Sequence, residues 1–169
     1  TASNYDIFGR LIYMGQYEAE MSLEEAIMEF GNSPVTDSFI TTNAMGYSNT
    51  PFNLQSDKML TVNYYDDYRF LELLPPAQRD SLSYKQKEGY GTAFTSNGSS
   101  SGSKLNAKGL LTGTRTYLLD GSGKYTIQAF YYDEKDNIIQ TRQSNHLGGY
   151  TTAYHRVDFR GKPKNVLKE

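Results

Sequence analysis

The chain has 169 residues, enough for one domain or two small units around a real core. Its 17 basic and 19 acidic residues leave a net charge of -2, with no Lys/Arg block, so nothing points to a nucleic-acid partner. It has no cysteine, which excludes disulfides, thiolate catalysis and Cys-based zinc sites, and no apolar run of the ~18 residues that a membrane-spanning helix needs.

Apolar residues make up only 37%, but 15 Tyr and 8 Phe offset part of that deficit because aromatics each bury a large area. The N-terminus shows no basic stretch followed by an apolar one, so no signal peptide is read there. The chain opens almost at once on a turn motif, and the expectation is a fragment of a longer protein.

The first strand pair is expected over residues 4–14, reversed at Gly9, a residue that tolerates the positive φ of a tight turn. "SLEEAIMEFG" then changes period. Leu23, Ala26, Ile27 and Phe30 recur at helical spacing, Ser22 with Glu25 fits a capping box, and Gly31 fits a stop. Residues 32–56 are rich in Asn, Ser, Thr and Pro and read as a long connection with one strand near 37–42. Residues 59–65 alternate as a half-buried strand does. Pro75 and Pro76 end whatever precedes them, because neither donates a backbone hydrogen bond.

"TSNGSSSGSK" at 95–104 is a flexible low-complexity loop, taken as about 95–107 overall. Residues 109–119 read as a strand and 121–123 as a turn. Residues 125–132 and 138–144 read as a hairpin, with Asp136-Asn137 tolerating the left-handed conformation between them. One more strand, a Gly161 turn and an edge segment limited by Pro163 complete the chain. The fold class is therefore mainly β, an antiparallel sheet of consecutive hairpins with one short helix near 23–30. The whole of 1–169 reads as a single module, with a degenerate first repeat over 4–58 and hairpin units over 59–169.

Four stretches share a frame: "NYDIFGRLI" at 4–12, "NYYDDYRFL" at 63–71, "FYYDEKDNII" at 130–139 and "RVDFRGKPK" at 156–164. An aromatic or apolar residue precedes Asp, and a turn and an extended run follow. Asp accepts backbone N–H bonds in the turn, and a Gly or left-handed residue makes the reversal. Gly9 and Gly161 fill that slot, while Arg69 and Asp136 stand there in the two central units. A lone hairpin is marginal, so neighbours are expected to stack.

"YDIFGRLI" resembles the tyrosine-aspartate (YD) repeat of Rhs-type proteins. "AFYYDEKDNIIQTRQSNHLGGYTTAYHRVDFRGKPKNVL" and "KGLLTGTR" are similar to the segment that precedes the repeat array in large exported Rhs-like proteins of Bacteroidetes. The resemblance covers most of 59–167 and also 4–14. It implies a non-enzymatic scaffold module, placed outside the cell or on its surface, that contributes β-sheet to a shell. Its partner would be the remainder of the parent polypeptide. The signature residues it implies are Tyr5, Asp6, Gly9, Arg10, Tyr65, Asp66, Tyr132, Asp133, Asp158 and Gly161, with structural roles.

Other sites were weighed against this. Asp133, Glu134 and Asp136 could offer oxygen ligands to Ca²⁺, but the spacing is not that of a calcium loop, and a solvated turn explains them. Glu24, Glu25 and Glu29 read as the wet face of the helix. His146 and His155 are the only possible hydrolase bases, and no Gly-x-Ser-x-Gly elbow accompanies them. Gly148-Gly149 lacks the Lys-Ser/Thr of a phosphate loop. No catalytic residue, metal or cofactor is expected. The alternative is a carbohydrate- or protein-binding module that uses exposed tyrosines. A slice of β-sheet also leaves unpaired edges, and an edge-to-edge homodimer is a further expectation.

Overall fold

The computed structural model of the protein describes residues 1–17, 22–31, 36–48, 52–96 and 104–169. The chain is mainly β. Eight strands form one antiparallel sheet in the order β1-β2-β3-β6-β7-β8-β9-β10, and β4 pairs with β5 separately. The strands are β1 (Ala2–Tyr5), β2 (Leu11–Gly15), β3 (Met59–Asp66), β4 (Thr95–Ser96), β5 (Lys104–Leu105), β6 (Ala107–Tyr117), β7 (Tyr125–Tyr132), β8 (Ile138–Ser144), β9 (Tyr150–Val157) and β10 (Pro163–Lys168). Among the described residues two helices accompany them, α1 (Leu23–Phe30) and α2 (Pro76–Leu82), with a 3-10 turn at Arg69–Leu73. Two compact units result: Thr1–Asn63 with Thr116–Tyr125, and Tyr64–Arg115 with Thr126–Glu169.

In the first unit, β1 and β2 form the predicted hairpin, with Asn4 opposite Tyr13. Asn4 is fully buried, and its amide donates to the Tyr13 hydroxyl at 2.7 Å, so neither polar group is left unpaired. Tyr13 also stands opposite Val62 of β3. Gly15 is required by space: a Cβ there would lie 2.7 Å from Leu54 Cδ1 and 2.8 Å from the Lys58 carbonyl. α1 carries both bonds of its capping box, from Glu25 N–H to Ser22 Oγ at 3.2 Å and from Ser22 N–H to Glu25 Oε2 at 2.7 Å. Gly31 then ends it at φ 77°.

The expected strand over 37–42 does not form. Thr36 makes one isolated parallel bridge to Tyr5. The Asp37 carboxylate instead accepts from the backbone of Ser38 and Ser48, and such local bonds compete with a ladder. Residues 32–35 and 49–51 of that predicted connection lie outside the described residues.

In the second unit, β7, β8 and β9 are linked by tight reversals, and β10 follows β9. α2, unforeseen in the sequence, crosses to β8. Pro75 and Pro76 do end the preceding segment, but Pro76 also occupies the first helical turn, where its missing N–H costs nothing. Arg142 Nε donates to the Ser81 carbonyl at 2.7 Å and the Tyr131 hydroxyl to the Leu82 carbonyl at 2.6 Å, so strand side chains satisfy the helix's last carbonyls. Next, the Gln140 amide accepts from Lys85 N–H at 3.1 Å and donates to Lys85 C=O at 2.7 Å. The Lys87 ammonium reaches Glu169 at 2.5 Å and lies 5.4 Å from the centre of the Tyr154 ring. Segment 81–91 is thereby fastened across β8 and β9. Within the predicted loop, Thr95 pairs with Leu105 and Ser96 with Lys104; residues 97–103 lie outside the described residues.

Candidate functional site

The residues singled out by the repeat gather at chain reversals. In the first reversal, Asp6 Oδ1 accepts from Phe8 N–H and from Arg10 N–H, both at 2.9 Å. Gly9 N–H donates to the Asp6 carbonyl, and Asp6 N–H donates to the Arg10 carbonyl. Asp6 is 9% exposed, and its other oxygen meets Arg10 Nε at 2.6 Å. Tyr5, just before it, is exposed.

The β7–β8 reversal repeats the scheme. Asp133 Oδ1 accepts from Lys135 and Asn137 N–H at 2.9 Å, Asp136 N–H donates to the Asp133 carbonyl, and Asp133 N–H donates to Asn137. Asp136 stands at φ 62° where Gly9 stands at 75°. Asn137 also does what Arg10 does, donating Nδ2 to Asp133 Oδ1 and Oδ2 at 3.2 and 3.0 Å. The β9–β10 reversal is the same again: Asp158 Oδ1 accepts from Arg160 and Lys162 N–H at 2.8 and 3.0 Å, with Gly161 at φ 76°. This is a type I turn closed by a left-handed residue, a common three-residue hairpin loop.

The sequence frame missed one member and misread another. Asn145 accepts from Leu147 and Gly149 N–H at 3.0 and 2.9 Å, with Gly148 at φ 86°, so the β8–β9 reversal has the same geometry without Tyr or Asp. The one available signal is Asn-x-x-Gly, an acceptor three residues before a glycine. By contrast, Tyr65-Asp66 ends β3 without forming the expected hairpin. Asp66 itself takes φ 73°, and its carboxylate accepts from Gly109 N–H at 2.7 Å. Asp67 caps Arg69 N–H at 3.0 Å, and the chain enters the 3-10 turn because Phe70 and Leu71 are buried.

The tyrosines pack rather than display. Of the fifteen, Tyr5 and Tyr150 are exposed. Tyr68 stacks on Tyr131 at 4.8 Å, and the Tyr132 hydroxyl donates to the Leu111 carbonyl at 2.5 Å. Burial, reinforced by the nearby Asp136 charge, pushes the Tyr132 phenol up to about 12. Tyr68 and Tyr131 are raised further, again chiefly by burial.

Asp133 and Asp158 also border a cleft of about 660 Å³, with Tyr90, Phe94, Arg156 and Phe159 in its walls. Among the described residues lining it there is no serine, cysteine or histidine; Thr92, Thr95, Glu134 and Lys135 stand in it with the two aspartates. Asp133 Oδ1 is already engaged by its own turn, and among the described residues no three His, Cys, Asp or Glu side chains group as metal ligands. His146 is exposed in the β8–β9 reversal, and His155 is half-buried in β9. No helix of the described residues is long and apolar enough to cross a membrane.

Comparison of the chain with protein-family models, with curated proteins and with solved structures gave no match in any of the three.

Proposed function

We propose that this chain is a non-enzymatic structural module of a larger exported protein of the Rhs/YD-repeat kind, lending β-sheet to a shell or cell-surface scaffold. The observation that carries this reading is the recurrence of one turn scheme at Asp6, Asp133, Asn145 and Asp158. Carboxylates and amides spent on backbone N–H groups are spent on shape, which favours a structural role. With only Tyr5 and Tyr150 exposed among the fifteen tyrosines, the same reading is favoured over one that needs an exposed aromatic platform.

The test is made in native cells of the source organism. Fractionation with peptide mass spectrometry should find these peptides in a surface or secreted polypeptide many times larger than 19.1 kDa. A stable intracellular product of about the size of this chain would overturn the reading.

A further inference from the structure

We infer that the cleft beside the β7–β8 and β9–β10 reversals binds a neutral saccharide. It lies within the second unit, and its volume of about 660 Å³ is that of a small-molecule site. Its walls are set before any ligand arrives. On one side the Asp133 and Asp158 turns are closed by their own backbone bonds. On the other, Ala93 N–H donates to the Tyr84 hydroxyl at 3.1 Å, Phe94 N–H to the Tyr132 carbonyl at 2.9 Å, and the Gln86 amide to the Gly91 carbonyl at 2.9 Å. Gly91 keeps that wall close to β8, since a Cβ there would stand 3.2 Å from Ile139 Cγ2. A preformed cleft loses little conformational freedom on binding.

The polar groups left over select the ligand. Among the described residues, the Glu134, Lys135 and Arg156 side chains enter no ion pair, and Asp158 keeps Oδ2 after Oδ1 has served its turn. Two acceptors and two donors thus share one cleft without pairing with each other. A hydroxyl donates and accepts, so a polyol can use both kinds at once. Charge opposes an ionic ligand, because Asp133, Glu134 and Asp158 stand against Lys135 and Arg156 and each sign meets its like. Phe94 and Phe159 line the same cleft and are 39% and 79% exposed. Exposed aromatics rimmed by polar groups mark a binding groove, and the negative face of a ring attracts the C–H groups of a sugar. The Arg160 guanidinium lies 4.9 Å from the Phe159 ring centre and steadies that ring. The aromatic platform is therefore phenylalanine, not the tyrosines expected from the sequence. The inference stands on the cleft's own groups and does not require the scaffold reading.

The whole chain is titrated with cellotriose, maltotriose, mannotriose and triacetylchitotriose, and with trigalacturonic acid as the acidic comparison, followed by amide NMR. At least one neutral sugar should shift the Gly91, Glu134 and Arg156 amides and saturate with a Kd of about 1 mM or below. Phe159→Ala and Arg156→Ala should each weaken that binding about tenfold at unchanged melting temperature. Tyr150→Ala, which alters an exposed tyrosine that does not line the cleft, should leave it unchanged. No shift of the cleft amides by any of the four neutral sugars up to 20-fold above about 1 mM would overturn the inference. Tighter binding of trigalacturonic acid than of every neutral sugar would also overturn it, as would loss of binding in Tyr150→Ala with Phe159→Ala unaffected. The scaffold reading rests on the parent's size and location, so the two fail separately.

Discussion

Asn137 and Gly161 lock two neighbouring turns together. Asn137 Nδ2 is bound by Asp133, which fixes the amide, and a Cβ at Gly161 would stand 2.4 Å from Asn137 Oδ1. Gly161 is thus demanded twice, by φ 76° and by its neighbour, whereas Gly9, at φ 75°, has open space around it.

This separates two glycine substitutions. Gly9→Ala should cost about 1 kcal/mol, the strain of a left-handed alanine alone. Gly161→Ala should cost more, and Asn137→Ala in the same chain should return part of the excess. Urea melts of the four proteins in the cycle measure the coupling. Equal costs for the two glycines, with no coupling to Asn137, would remove the turn-to-turn contact from the account.

The turn acceptors should rank by burial. Asp6→Ala loses two N–H partners and the Arg10 ion pair in a mostly buried setting, and a loss of roughly 2–3 kcal/mol is expected. Asp133→Ala and Asn145→Ala should each lose roughly 1–2 kcal/mol. An unchanged melting temperature for Asp133→Ala would count against the turn role.

Gln140 makes a different forecast. Its amide is nearly fully buried and serves both backbone groups of Lys85. Gln140→Leu should cost roughly 2–3 kcal/mol by leaving them unpaired. It should also raise hydrogen exchange in the 84–91 segment while leaving the β8–β9 ladder protected. Uniform loss of protection across both would show the clamp to be global.

Stability should fall in alkali. Unfolded tyrosines ionise near pH 10, while burial holds the Tyr132 phenol neutral to about 12 and raises Tyr68 and Tyr131 as well. Above pH 10 the native state therefore binds more protons than the unfolded chain, and stability declines as pH rises. His155 sets the opposite slope in acid. Burial first, then the Lys168 charge, lowers its pKa, so the unfolded chain binds more protons as pH falls below 6.5 and stability drops there. Replacing His155 with Phe should flatten that acid slope in a pH series of urea melts.

The legible parts of the fold were those encoded locally. Ser22 and Glu25 sit three residues apart and specify a cap; Asp6 and Gly9 specify a turn. What escaped sequence reading depends on distance or on chemical equivalence. Gln140 and Lys85 are 55 residues apart, and nothing near either announces the pair. Asn145 is chemically equivalent to the turn aspartates but lacks their preceding Tyr. Asp66 looks like its counterparts and differs because Phe70 and Leu71, a few residues on, are drawn into a core.

The long excursion between β3 and β6 sets the order of assembly. The β7–β10 reversals join residues that are close in sequence, so closing them costs little chain entropy. Tyr64 and Thr112, bonded at 3.1 Å, are 48 residues apart, and their meeting must wait for the intervening segment to be gathered. Refolding should then be limited by that closure. Substitutions at Asp133 or Asn145 should act mainly on the unfolding rate, and those at Thr112 mainly on the folding rate.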